Sequence, residues 1–336
     1  LMSTKIQSKT IFRQYQYAKL AIVFASINVP SWGQTLTAWP TKPVHLVVGF
    51  AAGGPTDVVA RSFAESASKG LGQPVVVDNK PGANSIIAAQ AVATSPADGH
   101  TLLFGATNHS MIPALYGNRV KFDAVKSFKP LCTLASAPTV LVVGPSMQVK
   151  TLADFLTQAK AKPRSVTYAT AGLGSSGHFY SEQFARLTGI SMTHIPYKGA
   201  APAVTDLISG QVDASFATLG SVLPHILSGK LQALAISSPQ RSAQLPQVPT
   251  FEESGVKGYS ADAWYGVLAP QDLPAGIQKQ LEQEVQSFGQ SAQQADKLRA
   301  LGMVPDVVCG ERFASQMARD VKLYTEIARD LNLKAD

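Results

Sequence analysis

Two stretches of small residues hold most of the chemistry this chain can do. The first, Phe50-Ala51-Ala52-Gly53-Gly54-Pro55-Thr56-Asp57, follows the apolar run Val44–Val48 and leads into a helical pattern ending at Leu71. The second, Gly172-Leu173-Gly174-Ser175-Ser176-Gly177-His178, follows Val166–Ala169 and leads into another helical pattern ending at Leu187. Backbone N–H groups at a helix start have no intrahelical partner, and the helix dipole favours negative charge there. Side chains this small leave those donors uncovered, so each loop can hold an anion without a charged side chain. In the second loop Ser175 or Ser176 can cap the helix and add hydroxyls. The plainer alternative is a tight strand-to-helix turn that uses glycine for positive φ. If the backbone of Gly53 and Gly54 approaches an anion, a side chain at either position takes ligand space or forces an unfavourable φ. The first loop lacks the Gly-Lys-Ser/Thr ending and the Gly-x-Gly-x-x-Gly spacing of nucleotide-binding loops.

Further polar residues stand at the ends of strands. Thr107 and Asn108, with His109, follow the run Thr101–Gly105, and Lys198 follows Met192–Ile195. Lys198 can draw an acidic ligand inward or remain a solvated surface lysine. Asp57 can contact a ligand or serve the helix dipole as a first-turn carboxylate. A hydrolase reading would use Ser175 or Ser176 with His178. However, neighbours so close at a helix start point in different directions, and no Gly-x-Ser-x-Gly elbow or Ser-x-x-Lys is present. The remaining histidines are scattered without metal-ligand spacing, so neither a metal nor a cofactor is expected.

These residues need strands to carry them and helices to follow. Short apolar runs alternate with amphipathic helical patterns from Val44 to Ile236, which predicts parallel sheets covered on both faces. After Trp264–Leu268 the pattern becomes mostly helical, over Ala275–Phe288, Ala292–Leu301 and Gly310–Leu331. Helices that return to an earlier sheet predict an α/β chain of two lobes, each a central sheet flanked by helices. The chain would cross between them twice, near Ala135–Val140 and Ser260–Val267. The expected division is 39–137 plus 265–336 for one lobe and 138–264 for the other. Two loops at the carboxyl ends of strands, one per lobe, would grip an anion from both sides of a cleft.

Residues 1–38 read as a signal peptide. Lys5, Lys9, Arg13 and Lys19 precede the run Leu20–Val29, which is shorter than the roughly 20 residues needed to span a bilayer. Leu36-Thr37-Ala38 offers a small-residue cleavage site and Gly33 an alternative. Export to the periplasm is the expectation. The leader holds four of the 29 Lys and Arg and none of the 22 Asp and Glu, leaving 25 basic against 22 acidic residues, a net of +3. That balance, without a basic cluster or an aromatic-basic stripe, excludes a nucleic-acid partner. Cys132 and Cys309 can pair in an oxidising compartment or remain two buried thiols.

The ordered succession of Lys42–Arg61, Asn79-Lys80-Pro81-Gly82-Ala83, Ala97–Leu103, Tyr197–Ala203, Gly210-Gln211-Val212-Asp213 and Leu245–Thr250 resembles the solute receptors of tripartite tricarboxylate transporters, the TctC or Bug family. The resemblance runs from about Trp39 to the C-terminus. It implies a periplasmic binding-protein fold of type II and a monomer that captures a small organic carboxylate for a membrane permease. It implies ligand contacts along Phe50 to Asp57, including Ala52, and along Gly174 to His178. The family has more proline where this chain has Ala51-Ala52, and more glycine where it has Asn84-Ser85-Ile86. It often carries an acidic residue after the strand phenylalanine, where this chain has Ala217 after Phe216; Ala217 is counted among the candidate contacts. A sensor that signals to a membrane kinase would use the same ligand-driven closure.

Overall fold

A computed structural model describes residues 39–334; the leader lies outside the described residues. Eleven strands among them form two sheets. β1 (Val44–Val48), β2 (Val75–Asn79), β3 (Thr101–Ala106), β4 (Phe128–Ala137), β10 (Ala263–Pro270) and β11 (Val304–Pro305) build the first, in the order β11-β4-β10-β3-β1-β2. β5 (Thr139–Val143), β6 (Thr167–Thr170), β7 (Thr193–Pro196), β8 (Ala214–Thr218) and β9 (Gln232–Ile236) build the second, in the order β7-β6-β8-β5-β9. The chain therefore has the α/β architecture of two helix-flanked sheets joined by two crossings.

The expectation of parallel sheets needs correction, because both are mixed. β1 runs parallel to β2 and β3, and β6 parallel to β7 and β8. β10 is antiparallel to β3 and β4, and β5 is antiparallel to β8 and β9. The cause is the crossing itself. β5 begins at Thr139 opposite Thr218, the last residue of β8, and near the start of β10 Tyr265 lies opposite Ala106, the last residue of β3. A strand arriving from the other sheet enters where the parallel strands finish, so it must run against them. β4, at ten residues the longest strand, was not read from the sequence because Pro130 interrupts its apolar run. Proline is rare inside a sheet.

Local chemistry explains the helices. α1 (Pro55–Leu71) starts with proline at its first position, where no N–H is needed, and stops at Gly72 with φ 65°. Its buried stripe of Val59, Ala60, Phe63, Ala64 and Ala67 follows the helical repeat, and Phe63 meets Phe288 edge-on at 5.9 Å. α2 is Ile86–Ala93 and α3 is Asn108–Tyr116; the latter carries an internal Pro113, which hid it from the sequence reading. α4 (Leu152–Ala161) opens with a capping box formed by Thr151 and Asp154. α5 (Ser176–Thr188), α6 (Ala200–Ile208) and α7 (Leu219–Leu227) complete the helices of the second sheet. α8 (Ala275–Gln290), α9 (Ala292–Ala300) and α10 (Glu311–Asp330) follow β10.

One core lies against the first sheet and includes Val47, Leu103, Trp264, Phe313 and Met317. Two others cover the faces of the second sheet, one around Phe155, Phe184, Phe216 and Phe251, the other around Val140, Leu207 and Val222. α10 takes part in two of these cores, since Phe313 and Met317 join the first while Tyr324, Ile327 and Ala328 join the second. Cys132 and Cys309 form a disulfide, which decides between the two readings of that pair. It tethers β4 to the segment after β11, where Thr133 also bonds Asp306 and Val308.

Where the chain crosses, its two passes bond to each other. Thr139 N–H donates to Ser237 Oγ at 2.8 Å, Ser237 N–H to Thr139 O at 2.9 Å, and Thr139 Oγ1 to Ala261 O at 2.6 Å. Ser237 Oγ in turn donates to Asp262. Asp262, Asp306 and Asp320 line a small cavity here beside Trp264, whose Nε1–H donates to Asp320 at 3.0 Å. Burial raises all three carboxyls, and a hydrogen bond from Ser237 only partly offsets this for Asp262. For Asp320 burial outweighs the Trp264 bond and the charge of Arg319, pushing it up to about 6. Between its ordinary value of 3.8 and about 6 the folded state holds a proton that the unfolded chain releases, so stability falls as pH rises through that window. Asp320→Asn keeps an acceptor for Trp264 and should raise the melting temperature at pH 7.5. Melting curves should show the gain shrinking below pH 6 and gone below pH 3.8; a gain independent of pH would contradict this account.

Candidate functional site

The carboxyl ends of the parallel strands in both sheets face a cavity of about 270 Å³. The first sheet and its helices contribute Phe50, Pro55, Thr56, Asn84, Ala106, Thr107, Asn108, Ala263 and Tyr265. The second contributes Thr170, Ala171, the first turn of α5 from Ser175 to Gly177, Ala200, Ala203 and Val204 of α6, Ser215 to Thr218 of β8, and Ser221 of α7. Five helices, α1, α3, α5, α6 and α7, thus begin at this one cavity. None of the five has a side-chain cap; α2, α8 and α10, which begin elsewhere, also lack one, while α4 and α9 are capped by Thr151 and Ser291. First-turn N–H groups and the positive ends of their dipoles therefore converge on it.

The two loops reach the cavity differently. In the first, Phe50 lines it, but Ala52, Gly53, Gly54 and Asp57 do not. Asp57 is the reason. Its nearly buried carboxylate accepts from Gly53 N–H at 2.9 Å, Arg61 Nε at 2.9 Å and Asn79 Nδ2 at 2.8 Å, so it folds the loop onto itself. Burial raises its pKa, but the bonds from Arg61, Gly53 and Asn79 more than offset this and leave it below the ordinary value. Gly53, at φ 83°, spends its N–H inside the loop rather than on an anion. Gly54 has an unexceptional φ of −76°, with no steric need for glycine.

In the second loop Ser175 and Ser176 line the cavity, while Gly174 and His178 sit behind it. Ser175 occupies the cap position of α5 without making the capping bond, and its buried Oγ has no protein partner. Gly177 permits the approach, since a Cβ there would stand 2.8 Å from Phe216 O. His178 Nδ1 accepts from Gly174 N–H at 3.2 Å, and its ring stacks on His194 at 3.9 Å. Burial, and secondarily the neighbouring His194, hold it down to about 3, while burial holds His194 at about 4. Both rings are neutral at pH 7. His178 supports the loop from below.

Thr107, Asn108 and Ala217 line the cavity; Lys198 is exposed and outside it. Thr107 Oγ1 accepts from Trp264 N–H at 2.7 Å and its own N–H donates to Trp264 O, fastening β10 to the end of β3. Asn108 is about nine-tenths buried; its Nδ2 donates to Asn84 O at 3.0 Å, which leaves Oδ1 without a protein partner. Asn84 was missed as a lining residue. It stands in the run Ala83-Asn84-Ser85, all three at positive φ, strain of a kind that clusters at ligand sites. Tyr265 and Val204 were also missed, because an apolar residue lining a cavity looks like any core residue in a sequence. Among the described residues no group of three or more His, Cys, Asp or Glu could hold a metal ion, and no helix is long and apolar enough to cross a membrane.

This arrangement has relatives. Residues 59–333 match the family model described as the tripartite tricarboxylate transporter family receptor, TctC. The chain belongs to that family. The protein BugT of Bordetella pertussis is 34% identical over 314 residues, covering 93% of this chain and 95% of BugT. A UPF0065 protein from a tcbD-tcbE intergenic region of Pseudomonas sp. strain P51 is 33% identical, with 93% and 94% covered. Among solved structures, an R. palustris protein with adipate superposes with a TM-score of 0.78 at 33% identity, over 88% of this chain and 100% of that one. MatC from Rhodopseudomonas palustris with bound malate gives 0.73 at 30%, over 86% and 99%. TctC members are periplasmic solute receptors, and this chain shares their fold.

The two glycines of the first loop should respond differently to substitution. Gly53→Ala places a Cβ on a left-handed backbone and should cost about 1–2 kcal/mol. Gly54→Ala should stay within about 0.5 kcal/mol. Urea denaturation of both variants checks this, and equal losses would show that the loop is held otherwise.

Proposed function

We propose that this TctC receptor captures a small organic carboxylate between its two sheets and delivers it to a membrane permease of the tripartite tricarboxylate type. The observation that carries the reading is the convergence of five helix N-termini without side-chain caps on one cavity. Such an end stabilises an anion through backbone N–H groups and dipole together. Adipate in one solved relative and malate in another are small carboxylates, which supports the same class here. The protein would act in the periplasm as a monomer, after removal of residues 1–38, with 39–137 plus 265–336 and 138–264 as its two lobes.

A binding role, without catalysis, agrees with the serines. Ser175 Oγ has no partner and His178 Nδ1 is taken by Gly174, so the hydrolase pairing considered from the sequence is not assembled. A thermal-shift panel of small mono-, di- and tricarboxylates tests the reading. A true ligand at a hundredfold excess over its dissociation constant should add about 2.7 kcal/mol of stability. If no member of a broad panel raises the melting temperature, the carboxylate assignment is wrong.

Closure is a separate expectation. Because the two passes of the chain lie side by side at Thr139 and Ser237, a ligand touching both sheets should draw them together about that line. Small-angle scattering should then show a smaller radius of gyration at saturation. An unchanged radius at saturation would argue against it.

A further inference from the structure

The elements of the two sheets also touch beside the cavity, and the role of that contact rests on the receptor reading above. Leu219 N–H donates to Pro138 O at 2.8 Å, which fixes the start of α7 to the first crossing. The next residue, Gly220, lies against the turn Leu301-Gly302 that joins α9 to β11 of the other sheet. A Cβ on Gly220 would stand 2.0 Å from Leu301 O, and one on Gly302 would stand 2.6 Å from Gly220 N and 2.7 Å from its Cα. Two bare backbones are therefore in contact. Other approaches this close, Gly144 to Leu207 O and Gly177 to Phe216 O among them, lie within one sheet and its helices. Gln244 Nε2, from the segment after β9, donates to Arg299 O at 3.0 Å and helps to hold the end of α9 in place.

Gly302 has a φ of 70°, so its backbone conformation alone favours glycine. Gly220 has no left-handed φ and sits in a helix, where alanine is the better residue. Only the contact accounts for glycine there. Gly220 and Leu301 border a side chamber of about 200 Å³, whose walls Pro55, Thr218, Ser221 and Tyr265 also line the ligand cavity. Thr218 and Ser221 flank Gly220 closely in sequence, so the gap between the two backbones sets how far these hydroxyls stand from Pro55 and Tyr265 opposite. Close-packed backbone compresses very little. We propose that Gly220 against Gly302 is the stop that fixes how far the cleft closes, and that glycine at position 220 lets the two sheets come near enough to enclose a ligand.

Spin labels at Lys80→Cys and Lys198→Cys test this on the full chain. Both positions are exposed and lie just beyond the edge strands β2 and β7, so their separation reports the width of the cleft mouth. In Gly220→Ala the backbones must part by roughly 1 Å, and the distance at the mouth should lengthen by about 2 Å or more. The melting temperature should not fall. An unchanged distance in the folded variant overturns the proposal. Gln244→Ala removes the neighbouring bond and adds no atom, so it should broaden the distance distribution toward longer values. If Gly220→Ala does not fold, that variant decides, and an unchanged distribution overturns the stop. A second arm titrates adipate and malate. Whichever binds the wild type should bind Gly220→Ala at least roughly tenfold more weakly, because the closed state is less populated; equal affinity overturns the proposal. The distances need no ligand, so failure of the carboxylate panel would strike the receptor reading while the labels still decide the stop.

Discussion

Everything in this molecule is arranged around the place where the chain passes between its two sheets and returns. Thr139 and Ser237 exchange hydrogen bonds there, and Ala261 and Asp262 complete the set. Two separate passes held side by side force the incoming strands, β5 and β10, to run against their neighbours. They also oblige the carboxyl ends of the parallel strands in both sheets to face a common space. Helices that follow parallel strands begin where those strands end. The convergence of helix starts on one cavity is therefore a consequence of topology, and the sequence had only to keep those starts small and uncapped.

The electrostatics of the cavity follow from that economy. A site built from charged side chains would need each of them paired or solvated, since an unpaired buried charge is costly. Here the positive potential comes from backbone groups that helix formation orients in any case. Ionisable groups close to the site do structural work. Asp57 ties the first loop to Arg61 and Asn79, and the stacked pair His178 and His194, neutral through burial, supports the second.

Much of this was legible in the sequence, for identifiable reasons. Strand-to-helix transitions marked by glycine and serine stand out, as at Gly53 and Ser175, because local backbone chemistry restricts which residues fit. The helix beginning at Asn108 and the strand containing Pro130 did not stand out, because tertiary packing overrode the usual meaning of proline. The sequence also could not reveal which loop residues line the cavity. The Asp57 carboxylate takes up the Gly53 N–H inside the loop, a matter of side-chain direction that composition does not encode. Asn84, Val204 and Tyr265 joined the wall from distant parts of the chain with no local signature.

The bond between Cys132 and Cys309 closes a covalent ring whose ends are 177 positions apart. That ring contains β5 to β9 entire, together with both crossings, while β1, β2 and β3 lie outside it. The second thiol exists to be oxidised only after the 177 positions that separate it from the first, and all eleven described strands, have been synthesised. Sulfur chemistry in this chain is thus a seal applied after both sheets have their strands, and a copy cut before Cys309 can never close the ring.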